Sequence, residues 1–141
     1  LKIPEEQIFP MQAAYSIEKH AQSYDETLQR VLGNNWLDLT MLGVGEDGHT
    51  ASLFPGTKAL TEKKRTVVEN FVPAKKVWRM TLTFRGIQNS QSILFCALGN
   101  SKQDILEKIF IQNGNFPANQ VGLTANKAIW IADKSAAMLL L

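Results

Sequence analysis

The sequence holds one cysteine, Cys96, which excludes an intramolecular disulfide and a cysteine-rich metal site. Cys96 lies in the apolar run Ser92-Ile93-Leu94-Phe95-Cys96-Ala97-Leu98, where a small buried thiol packs as a hydrophobe. Histidine is almost as scarce: His20 and His49 stand in distant contexts, with no set of ligands at metal spacing, so neither a metal nor another cofactor is expected. An excess of one charge is also lacking. The formal net charge is +2, too small to argue for nucleic acid, and no Lys/Arg stripe alternates with aromatics. The densest basic run, Lys63-Lys64-Arg65, reads as a solvated turn. The terminal Ala136-Ala137-Met138-Leu139-Leu140-Leu141 is far too short to span a bilayer, and the opening residues have the character of neither a signal nor a transit peptide. A cytoplasmic protein without nucleic-acid or membrane partners is the expectation.

What is present suits one folded domain. Charged residues make up 20% and hydrophobic residues 45% of 141 positions, enough to build a substantial core. Ala14, Ile17, Ala21, Tyr24, Leu28, Val31 and Leu32 recur at spacings of three and four. That is one face of an amphipathic helix, stopped by Gly33. His20, on its flank, is expected at the surface. Positions 37–43 read as a buried strand, and 67–72 and 77–84 as two more around the turn-like Pro73-Ala74-Lys75-Lys76. A short helix over 85–90 and a buried strand over 93–98 come next. Ser101 and Asp104 have capping-box spacing ahead of a helix with Ile105, Leu106, Ile109 and Phe110 on its apolar face. A last strand covers 128–132, and Asp133 is placed to cap a terminal helix. Apolar strands alternating with helices predict an α/β fold, a Rossmann-like and mostly parallel sheet covered on both faces. Barely ten residues precede the first helix, where such a sheet would have its opening strands.

The most informative stretch is Gly43-Val44-Gly45-Glu46-Asp47-Gly48-His49-Thr50-Ala51-Ser52-Leu53-Phe54-Pro55-Gly56. It begins at the C-terminal end of a strand, where open α/β sheets bind ligands. Its glycines let the backbone turn tightly and approach a ligand, with N–H groups able to receive an anion. Asp47 and His49 then bring a carboxylate and an imidazole into one concavity. The spacing is neither that of a Walker A loop nor that of a dinucleotide fingerprint. Locally, His49 equally suits a loop histidine bonded to backbone, and Asp47 a turn-forming carboxylate.

The string Gly-x-Gly-x-Asp-Gly-His-Thr-Ala-Ser-Leu-Phe-Pro resembles the signature of the 6-phosphogluconolactonase family. Arg79-Met80-Thr81-Leu82-Thr83 resembles its arginine-bearing strand, and Gly99-Asn100-Ser101-Lys102 its glycine-to-lysine turn. Pro117-Ala118 and Trp130-Ile131-Ala132-Asp133 fit its C-terminal pattern. A related branch, the glucosamine-6-phosphate deaminases and isomerases, shares Asp-Gly-His but carries a glutamate five residues after the histidine; here that position is Phe54. Nearly the whole chain is covered, and family members are longer. Residues 1–141 are therefore expected to be the C-terminal part of a single α/β domain, without its N-terminal strands and glycine-rich phosphate loop.

The resemblance implies hydrolysis of 6-phospho-D-glucono-1,5-lactone to 6-phospho-D-gluconate in the oxidative pentose phosphate pathway, with His49 activating water. The alternatives are a sugar-phosphate isomerase or deaminase and a non-catalytic sugar-phosphate-binding fragment. An imidazole suits acid/base work near neutral pH, and Asp47 would orient it. Gly45 and Gly48 offer N–H groups for an oxyanion. Thr50 and Ser52 are expected to contact substrate; Ser52 lacks the Gly-x-Ser-x-Gly setting of a nucleophile. Arg79 leads as the phosphate ligand, since a guanidinium bonds phosphate oxygens in pairs. Lys102 would add a point charge at a helix start, or else face solvent.

Overall fold

The computed structural model describes residues 2–12, 16–122 and 128–141. Helix α1 (Ile17–Leu32) opens the described fold after a short 3-10 turn at Glu5–Gln7. Ala14, expected on its apolar face, lies outside the described residues. Strand β1 (Leu39–Gly43) comes next, then the hairpin of β2 (Val67–Val72) and β3 (Val77–Leu82). After it come α2 (Phe84–Gln88), β4 (Ser92–Ala97), α3 (Gln103–Phe110), α4 (Pro117–Gly122) and β5 (Ala128–Ala132). Among the described residues no helix is long and apolar enough to cross a membrane.

Strands β1, β4 and β5 form a parallel sheet in the order β1-β4-β5. Its pleat separates two kinds of face. Leu42, Ile93, Phe95 and Ala97 are buried beneath Phe84, Ile87, Ile105, Leu106, Ile109 and Val121 of α2, α3 and α4. Trp130 stacks on Phe95 with ring centroids 4.0 Å apart and meets Phe110 edge-on at 5.1 Å, the offset and T-shaped geometries that aromatic quadrupoles favour. The alternate residues Leu39, Met41, Ile129 and Ile131 are 50–64% exposed. The α/β class and parallel sheet agree with the sequence, but among the described residues the helices cover one face, not two.

The reason is the position of α1. It packs on the β2–β3 hairpin, with Ala21 and Leu28 against Val67 and with Tyr24, Leu32, Met80 and Leu82 around them. Asp25, buried on this helix, accepts the N–H groups of Thr66 and Val67 at 2.7 and 2.8 Å through one carboxylate oxygen. A two-stranded partner is narrow, so Val31, predicted on the packed face, stays 46% exposed. His20 is exposed.

Two helix signals resolve differently from expectation. Asn100–Lys102 winds as a 3-10 turn and α3 starts at Gln103 without a side-chain cap, so the Ser101–Asp104 box does not form. Asp133 does cap, accepting the Ala136 N–H at 2.8 Å and the Gly99 N–H at 3.1 Å. Beyond Asp133 the chain forms a turn and a 3-10 segment at Met138–Leu140 rather than an α-helix. Helix α4, which no sequence signal singled out, starts with Pro117, whose fixed φ and missing N–H suit a first helical position.

Candidate active site

At Gly43 the chain leaves β1 and folds back on itself. Gly48 donates to the Gly45 carbonyl at 2.9 Å, and Gly45 donates to the His49 carbonyl at 2.8 Å. Gly48 adopts φ 78°, a left-handed conformation that costs a glycine little, and a side chain there would collide with Phe116. Thr50 is fully buried and its hydroxyl donates to the Gly43 carbonyl at 2.9 Å. Ala51, at φ 50°, is one of the few non-glycine residues in the left-handed region, a local strain of the kind that surrounding structure must hold in place.

These bonds revise several expectations. The N–H groups of Gly45 and Gly48 are both spent within the turn, so neither is a free oxyanion donor. Thr50 and Gly48 are buried and shape the loop from inside.

The hairpin fastens the far side of the loop. Thr81 Oγ1 accepts the Ser52 N–H at 3.0 Å. Asn70, 1% exposed, donates through its amide to the Ser52 carbonyl at 2.8 Å and to Thr57 Oγ1 at 2.9 Å, and its carbonyl accepts the Ala59 N–H at 3.3 Å. Buried polar side chains satisfied in this way favour one arrangement of a loop over others. Sequence reasoning passes over both residues. Asn70 does carry a signal, a carboxamide between Val68 and Val72 on the inward phase of an apolar strand.

His49 and Asp47 pair at the centre of this loop. The Nδ1 atom of His49 lies 2.5 Å from Oδ1 of Asp47, which also accepts the His49 backbone N–H at 3.1 Å. The imidazole stacks on Phe54 with centroids 3.9 Å apart and planes 19° from parallel. Partial burial pushes the Asp47 carboxyl up, but the His49 ring and backbone N–H together hold it below the ordinary carboxylate range. Asp47 is 51% exposed on its side chain, so the pair orients the ring more than it stabilises the fold.

A cavity of about 510 Å³ opens beside this pair. His49, Gly45, Ser52 and Lys102 line it, with Met41 and Met80 among the apolar walls. Arg79 is not in its lining. It occupies an adjoining cleft of about 370 Å³ with Met11, Ser52, Trp78 and Met80, so it shares walls with the main cavity. A second adjoining cleft, about 380 Å³, is lined by Asp47, His49 and Lys102 and also by Lys75, whose approach no local pattern announced. Among the described residues no three His, Cys, Asp or Glu side chains converge as a metal-ligand set.

Residues 1–130 match the family described as glucosamine-6-phosphate isomerases/6-phosphogluconolactonase. The 6-phosphogluconolactonase of Chlamydia trachomatis serovar D is 42% identical over 133 residues, covering 93% of this chain and 51% of that protein. The crystal structure of a devB protein superposes with a TM-score of 0.88 at 27% identity, over 100% of this chain and 62% of the other. The 6-phosphogluconolactonase of Trypanosoma brucei does so with a TM-score of 0.76 at 26% identity, over 96% and 59%. The chain thus spans about half the length of the curated relatives it matches.

Proposed function

Because the chain belongs to the family of glucosamine-6-phosphate isomerases and 6-phosphogluconolactonases, we propose that it carries the hydrolytic centre of a 6-phosphogluconolactonase. The reaction is hydrolysis of 6-phospho-D-glucono-1,5-lactone to 6-phospho-D-gluconate, in the cytoplasm and within the oxidative pentose phosphate pathway. The observation that carries this reading is the Asp47–His49–Phe54 arrangement at the cavity edge. Asp47 accepts the Nδ1 proton and leaves Nε2 as the basic nitrogen. Phe54, where the isomerase branch has a glutamate, has no proton to transfer and instead stacks on the imidazole.

A δ-lactone is a reactive ester, so an activated water suffices. His49 takes a proton from water as it attacks the carbonyl carbon and returns it to the departing ring oxygen. Asp47, kept ionised, holds the ring and balances the imidazolium, the role of the buried aspartate in hydrolytic triads. Arg79, from its adjoining cleft, takes the 6-phosphate, with Ser52 on the wall between that cleft and the main cavity and Lys102 as a further cation lining the cavity.

The test is acid release from freshly prepared 6-phosphogluconolactone, alongside ammonia release from glucosamine 6-phosphate. His49→Ala is expected to lower kcat by about two orders of magnitude with a small change in KM, the usual contribution of a positioned acid/base. Turnover near wild type after correction for spontaneous hydrolysis removes His49 from its role. Ammonia release in place of acid release hands the site to the isomerase branch.

A further inference from the structure

Hydrolysis through His49 raises a question of charge. As water attacks, the carbonyl oxygen of the lactone becomes negative, and catalytic sites meet such an oxygen with prepositioned donors or cations. The Gly45 and Gly48 N–H groups are already spent on the loop. A cation is available instead at the tip of the β2–β3 hairpin. The 3-10 turn Pro73–Lys75, closed by Lys76 at φ 51°, delivers Lys75 to the cleft that it lines with Gly45, Glu46, Asp47, His49 and Lys102. The Lys75 ammonium lies 5.1 Å from the centroid of Phe54, the ring on which His49 stacks at 3.9 Å. That cation–π attraction holds a flexible stem near the imidazole. Among the described residues neither Lys75 nor Lys102 forms an ion pair. The acidic groups lining this cleft are Asp47, bonded to His49, and Glu46, exposed.

We propose that Lys75 is the charge-stabilising residue of the reaction, its ammonium holding the lactone carbonyl oxygen as it becomes an oxyanion and then a product carboxylate oxygen. This rests on the hydrolase reading above. The new C–O bond forms from water as the carbonyl π pair moves onto oxygen, and His49 takes the water proton. Asp47 balances the imidazolium, and Lys75 balances the oxyanion. Collapse re-forms the C=O bond, breaks the bond from the carbonyl carbon to the ring oxygen, and returns the proton to that oxygen as a hydroxyl. The acid then ionises to solvent, leaving a carboxylate beside Lys75. The two clefts join the main cavity through different walls, Arg79 past Met11, Ser52 and Met80, and Lys75 past Gly45, His49 and Lys102. The phosphate end and the carboxyl end of one substrate would thereby meet cations in separate clefts, Arg79 in one and Lys75 in the other.

The experiment is calorimetric binding to the full protein of two open-chain probes, 6-phosphogluconate, which carries a carboxylate and a phosphate, and glucitol 6-phosphate, which carries the phosphate alone. Lys75→Ala is expected to weaken the first about tenfold, the loss of one charge-assisted contact, and the second less than twofold. Lys75→Arg keeps most of the affinity, and kcat for the lactone falls in Lys75→Ala more than KM rises. Equal weakening of both probes makes Lys75 a phosphate ligand and overturns the proposal, as does unchanged binding of both. Failure of the wild-type protein to bind either probe overturns the hydrolase reading itself, and the assignment of Lys75 with it.

Discussion

Gly45 packs so closely against His49 that a methyl group on its Cα would overlap Nδ1 of the imidazole and crowd Oδ1 of Asp47. The glycine is needed here for space, since only a hydrogen fits between the backbone and the Asp47–His49 pair. Gly45→Ala should therefore turn the ring out of place without unfolding the protein. A displacement of about 1 Å at a reacting group costs up to roughly a hundredfold in rate, so kcat should drop between about tenfold and a hundredfold while the thermal midpoint moves little. Wild-type kcat in this variant would show that the ring position is not set by Gly45.

Arg79 sits in a cleft beside the cavity rather than inside it, and its expected effect is set by that place. Arg79→Ala should raise KM for the phosphorylated lactone by about tenfold to a hundredfold, the range for losing a hydrogen bond to a charged group. The unphosphorylated lactone should be affected far less. Equal losses on the two substrates would move Arg79 from the phosphate to the scaffold.

The α1–hairpin joint depends on one carboxylate. Asp25 Oδ1 accepts two backbone N–H groups, and Oδ2 accepts Gln29 Nε2 at 3.0 Å. Asp25→Ala leaves Thr66 and Val67 with unsatisfied donors at a buried site, which costs about 2–4 kcal/mol. Asp25→Asn keeps an acceptor oxygen and should cost less. Urea unfolding of both variants measures this, and equal stabilities would mean that water takes over the carboxylate's bonds.

The open sheet face is the remaining prediction. Leu39 and Met41 on β1 and Ile129 and Ile131 on β5, on either side of β4, are all at least half exposed, an apolar patch of a kind that soluble monomers rarely tolerate. The chain should bind a hydrophobic dye and self-associate through this face. Met41→Lys together with Ile129→Lys should reduce the dye signal. A monodisperse monomer that binds no dye would show that this face needs no cover.

The loop of the candidate site was legible in the sequence because its contacts are local: Gly45, Asp47, His49 and Phe54 fall within ten positions, and short-range backbone geometry is enough to bring them together. The strands were legible as short apolar runs, although in 93–98 only the alternate residues Ile93, Phe95 and Ala97 are fully buried and Leu98 is exposed. The rest was decided by which surfaces met. Lys75 and Thr81 reach the site because the hairpin lies across the loop, a pairing of segments some thirty residues apart (the Ser52–Thr81 bond spans 29 positions) that no periodicity records. Val31 stays exposed because a two-stranded hairpin is too narrow to cover the whole apolar stripe of α1. The Gly45 and Gly48 N–H groups were readable as donors but not as donors already taken, and Ser101 was readable as a cap but not as part of a 3-10 turn. Local pattern specifies which groups can bond and which residues avoid water; only the folded arrangement determines which partner each group finds.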